Sequence, residues 1–77
     1  MATQLHQEIV LARDVPQHGL RTGDMGTVVH VYPNGGLEVE FFTASGKTRA
    51  VVTLHDADIR MATDNDVVAV RSLDATG

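Results

Sequence analysis

Between Glu8 and Met61 apolar and polar positions alternate with a period of two over several short stretches, the spacing of β-strands that bury one face. Ile9, Val10 and Leu11 open the pattern in a segment expected to run from Glu8 to Arg13 and to break at Asp14, where Val15-Pro16 begins a polar stretch. Met25 to Tyr32 is rich in β-branched residues, with Thr27, Val29 and Val31 on one side and Val28, His30 and Tyr32 on the other, and reads as the clearest central strand. In Leu37 to Phe42, Leu37, Val39 and Phe41 alternate with Glu38 and Glu40, so one face belongs in a core and the other in water. Thr48 to Leu54 sets Ala50, Val52 and Leu54 against Arg49, Val51 and Thr53, and Ile59-Arg60-Met61 is long enough for a short closing strand.

The connections between these segments carry turn chemistry. Asp14 to Gly23 is predicted as a long irregular loop, in which Gly19 and Gly23 suit positive φ and Pro16 lacks a ladder donor. Gly23 and Gly26 are expected to flank a turn into the second strand, while Pro33-Asn34-Gly35-Gly36 and Thr43 to Lys47 predict two hairpin turns. His55 to Asp58 has the length of one 3₁₀ turn. The resulting expectation is an all-β, small five-stranded SH3-like barrel over residues 8–61, whose closure would remove exposed sheet edges. A polar lead, 1–7, precedes it and a tail, 62–77, follows. In that tail a turn at Thr63 to Asp66 leads into Val67, Val68, Ala69 and Val70 before a polar end at Asp74 to Gly77. The apolar run predicts either an added strand or a contact with another subunit, because a disordered tail rarely carries four apolar residues together.

A chain of 77 residues supports one core. It contains no cysteine, so disulfides and thiolate zinc sites are excluded and packing must hold the domain together. Six basic against ten acidic residues leave a net charge of -4, which repels a phosphate backbone, and the cations Arg13, Arg21, Lys47, Arg49, Arg60 and Arg71 are dispersed. Tyr32, Phe41 and Phe42 are the only aromatics available for base stacking. The polar start and the lack of an apolar run near the roughly 18 residues of a membrane span make the cytoplasm the expected location.

Candidate chemistry is sparse. His6, His18, His30 and His55 never fall within three to five residues of one another, so no metal site is expected. Ser45 and Ser72 lack a nucleophile motif, no glycine-rich phosphate loop precedes a helix, and Glu38 and Glu40, about 7 Å apart along a strand, read as a solvated outer face. The expectation is therefore a protein that is not an enzyme and has no cofactor. Its contacts are assigned to Gln17, His18 and Arg21 in the long loop, Glu38 and Glu40 on the outer face, Lys47 in the second turn, and Val67, Val68 and Val70 in the tail.

The succession Asp14-Val15-Pro16-Gln17-His18-Gly19-Leu20, Gly23-Asp24-Met25-Gly26-Thr27-Val28-Val29, Leu37-Glu38-Val39-Glu40-Phe41, Val52-Thr53-Leu54 and Asp58-Ile59-Arg60 resembles a bacterial family of small uncharacterised proteins, catalogued only as a domain of unknown function. The resemblance covers roughly residues 8–61 and implies an SH3-like barrel, but it brings no catalytic or binding residue with it. The length and barrel are also similar to those of the plasmid-borne, trimethoprim-resistant dihydrofolate reductase. Where that enzyme uses Val-Gln-Ile-Tyr, this chain has Val51-Val52-Thr53-Leu54, without an amide or phenol to grip folate, so that activity is not expected. Three readings follow. The leading one is a non-catalytic accessory module presenting its rim loops, Asp14 to Gly23 and Thr43 to Lys47, to another protein, as small SH3-like subunits of larger complexes do, with a homo-oligomer through residues 67–70 as a further expectation. The second is an antitoxin or immunity-type inhibitor that blocks a basic cleft with Glu38, Glu40, Asp56 and Asp58. The third is a nucleic-acid module, since the Gly23 to Val29 segment resembles the KOW element, although the acidic balance disfavours it.

Overall fold

The computed structural model describes residues 3–72; the polar end expected at Asp74 to Gly77 lies outside them. Five antiparallel strands form one sheet: β1 (Glu8–Leu11), β2 (Met25–Val31), β3 (Leu37–Phe42), β4 (Thr48–Leu54) and β5 (Ile59–Met61). Their order across the sheet is β4-β3-β2-β1-β5, so the two edge strands, β4 and β5, are consecutive in sequence. Only His55 and a 3₁₀ turn, Asp56–Asp58, connect them. A flat sheet would hold its first and fifth strands about 19 Å apart, at four strand spacings. A four-residue link that is mostly 3₁₀, rising about 2 Å per residue there, reaches roughly 12 Å. The sheet therefore has to curl into an open barrel.

The core shows the same thing. Ile9 and Leu11 of β1, Val28 of β2, Leu37, Val39 and Phe41 of β3, Val52 and Leu54 of β4, and Ile59 of β5 gather into one buried cluster, so both edges of the sheet face the same interior. No polar or charged residue is buried among the described residues. The edges do not pair: no ladder joins β4 to β5, whose three residues pair only with β1. The expected removal of sheet edges is thus not achieved by hydrogen bonding, and β4 keeps an open edge.

Four departures from the sequence pattern have identifiable causes. The first strand ends at Leu11 rather than Arg13, because the Ala12 N–H turns to the Asp58 carbonyl and Arg13 swings to the Asp58 carboxylate. The 14–23 loop is more ordered than expected. Pro16–His18 form a 3₁₀ turn ended by Gly19 at φ +69°, and Val15 and Leu20 bridge each other and plug the barrel. In β2 a bulge between Val28 and His30 disturbs the alternation, so that past Val28 the strand lies exposed, and Tyr32 becomes the first residue of the hairpin turn. The fourth departure concerns Gly26, which sits inside β2 rather than in the turn before it.

Candidate functional site

Because β1 is buried on one side by Ile9 and Leu11, Val10 must point to the outer face, yet Val10 is only 5% exposed and lies outside the core cluster. Its ladder partners are Met25 on β2 and Arg60 on β5. Thr27 opposite Glu40 sets Met25 beside Phe42 of β3 on the same face. An apolar row, Val10, Met25 and Phe42, therefore crosses three strands on the outside of the barrel, with Arg60 at one end and Arg49 of β4 near the other.

The tail crosses this row. The expected additional strand does not form, since residues 66–72 take no ladder partner. The segment is instead a strap lashed at both ends by forked guanidinium–carboxylate pairs. At its start Arg60 donates to Asp66 through Nη2 at 2.7 Å and Nη1 at 3.0 Å. At its end Arg71 donates through Nε to Asp24 Oδ1 at 2.9 Å, through Nη2 to Asp24 Oδ2, and through Nη2 to the Gly19 carbonyl at 3.0 Å. Arg60 pairs with Val10 in the ladder and Asp24 directly precedes Met25, so the strap has to pass over β1 at Val10. Its own apolar side chains are not packed into the barrel: Val67, Val68 and Val70 border the open groove and are 90%, 71% and 91% exposed. Between strap and sheet lies a groove of about 1020 Å³ lined by Val10, Met25, Phe42 and Arg49 together with the strap. Phe42, half exposed, stands at its open end.

Electrostatics hold the strap in place. Burial pushes the Asp24 carboxyl up, but the Arg71 hydrogen bond, the Arg21 backbone N–H and the two guanidinium charges outweigh it and leave the group below its ordinary value. Asp66 is held far below that value, first by Arg60 and then by the Thr63 backbone N–H. Asp58 is lowered by Arg13, which donates at 2.6 Å, and by the His55 N–H that it caps. Asp14 is lowered by the Thr22 backbone N–H and hydroxyl. Every displaced carboxyl among the described residues is thus pushed toward a permanently charged form.

The residues picked out in the sequence do not converge on one place. Gln17, His18 and Arg21 are exposed on and beside the first 3₁₀ turn, and Lys47 is exposed in the β3–β4 turn. Glu38 accepts from the Thr53 hydroxyl and Glu40 from that of Thr48, on the outer face of β3 and not in the lining of the groove. Val67, Val68 and Val70 form the strap. Val10, Met25, Phe42, Arg49 and the two latches were not anticipated as a site. A signal for them was present in the unbroken Ile9-Val10-Leu11 run, which buries the face that strict alternation would leave wet. Among the described residues no three His, Asp or Glu side chains gather where they could hold a metal ion, and no helix is long and apolar enough to cross a membrane.

No curated protein and no solved structure matches the chain. The family described as Domain of unknown function (DUF4926) matches residues 5–61, which takes in all five strands and stops short of the strap. With most of its length covered by that match, the chain belongs to the DUF4926 family.

Proposed function

We propose that this chain is a non-catalytic interaction module that holds a protein partner against the outer face of its barrel, where the strap and Phe42 border the groove. The observation that carries the reading is that the three most exposed large apolar side chains among the described residues, Val67, Val68 and Val70, lie on the strap with half-exposed Phe42 beside them, around a groove with an apolar floor. A contiguous apolar surface rimmed by charge is the usual mark of a protein contact.

The other two readings draw less support. Of the carboxylates an inhibitor would present, Asp58 is committed to Arg13, Asp56 accepts from Thr3, and Glu38 and Glu40 from threonines. Of the cations a nucleic-acid surface would use, Arg13, Arg60 and Arg71 are neutralised by aspartates.

The test is affinity capture with the full chain and with Phe42→Asp, compared by mass spectrometry, after circular dichroism has established that both are folded. A protein retained by the first and depleted about tenfold or more on the second is the expected result, about 1.4 kcal/mol of contact energy. Identical captured sets on both would overturn the reading.

A further inference from the structure

We infer that the partner of this face is a second copy of the chain, the two straps lying antiparallel across a two-fold axis with Asp64 of each copy against Arg49 of the other. The inference rests on the interaction-module reading and names its occupant.

Three observations lead to a second copy. First, the valines of the strap are left largely exposed, and the backbone of residues 67–70 takes no backbone hydrogen bond among the described residues. The apolar side chains are left to be covered from outside, and the solvated backbone is open to a partner as well. Second, the ends of the strap carry opposite free charges. Asp64 lies two residues before Asp66, in the turn that starts the strap, and its exposed carboxylate takes no partner among the described residues. Arg49 lies at the other end: its Nη2 stands 3.9 Å from where a Cβ on Gly19 would be, beside the carbonyl that receives Arg71. Arg49 likewise has no carboxylate partner among the described residues, unlike Arg13, Arg60 and Arg71. A segment with an anion at one end, a cation at the other and valines between is complementary to itself when reversed. Reversal is what a two-fold axis does, and it makes each unlike pair occur twice.

Third, the available area limits the strength. The exposed parts of Val67, Val68, Val70 and Phe42 amount to roughly 500 Å² per copy, below the ~800 Å² per partner of a standard interface. Each copy also carries a net charge of -4, which opposes approach. The association is therefore concentration-dependent rather than obligate, and the two Asp64–Arg49 pairs matter as much for orientation as for affinity.

The experiment is sedimentation equilibrium on the full chain from about 1 to 500 μM, in the range where weak interfaces dissociate, with Arg49→Glu, Asp64→Arg and the double variant alongside. The wild type is expected to pass from 8.3 kDa toward twice that mass. Each single reversal should weaken association about tenfold, because it places like charges together at both ends, and the double variant should restore it. A wild type that stays monomeric overturns the inference, as does a dimer indifferent to Arg49→Glu. If the chain stays monomeric while Phe42→Asp still abolishes capture of another protein, the second copy is wrong and the interaction face stands. If Phe42→Asp changes neither capture nor mass, the face itself is wrong.

Discussion

At Gly26 the barrel leaves no space for a side chain. A Cβ there would stand 2.7 Å from Val39 Cγ1, 2.8 Å from Phe41 Cε2 and 3.1 Å from the Glu40 carbonyl, two of them core side chains on the neighbouring strand and one its backbone. Gly26→Ala should therefore destabilise by about 1–3 kcal/mol, the range for overpacking, although alanine is ordinarily tolerated better than glycine in a strand. Urea unfolding would measure it, and a change within 0.5 kcal/mol, about the noise of surface substitutions, would mean that β3 yields more easily than its buried position suggests. Gly35 and Gly46 are different in kind. Each sits at positive φ, +93° and +87°, at the fourth position of a turn that Tyr32 or Thr43 opens, with open space around it, so conformation and not packing requires glycine there. The sequence distinguishes the two cases poorly, because a glycine needed for a close approach and one needed for a turn look alike until the neighbours are known.

The strap is held by charge in a way the barrel strands are not. Its attachment depends on Asp66 with Arg60 and Asp24 with Arg71, and in both aspartates the folded pKa is depressed. A depressed carboxyl contributes attachment that is complete above its unfolded value near 3.9 and is lost as pH falls through the lower folded value. Methyl resonances of Val67, Val68 and Val70 should accordingly hold still from about pH 8 to pH 5 and move only below about pH 4, in the acid range of the aspartates. Movement centred between pH 6 and 7 would point to a histidine and sink this account. Arg71→Gln removes the forked pair at one end and should shift the same resonances at neutral pH, while leaving those of Leu37 and Leu54 in place.

Across the whole molecule the strap is an addition to a barrel that is already complete. All the core cluster residues fall between Ile9 and Ile59, inside the 5–61 span that matches the DUF4926 family. A chain ending at Ala62 should keep its strand-dominated circular dichroism and its cooperative unfolding. The loss in stability should not exceed about 3 kcal/mol, since Val10 is the one buried apolar side chain outside the core that the strap crosses. Collapse of the truncated chain to an unfolded spectrum would show that the strap is part of the fold. The same truncation should abolish self-association if the straps meet across the two-fold.

The strands were legible from side chains that alternate locally. β3, β4 and β5 have the bounds their patterns predict, and both hairpin turns and the 3₁₀ turn at Asp56–Asp58 fall where the turn residues stand. Period-two burial and positive φ are properties of a few neighbouring residues, so a single chain segment carries the information. The bulge in β2, the plugging of the barrel by Val15 and Leu20, and the strap with its latches were not legible, because each depends on residues far apart in sequence. Asp24 and Arg71 lie 47 positions apart, and nothing in either neighbourhood marks the other. Local patterning states which face of a strand avoids water; it does not state what will lie across the opposite face. That is settled when the sheet curls and brings the two ends of the strap to Arg60 and Asp24.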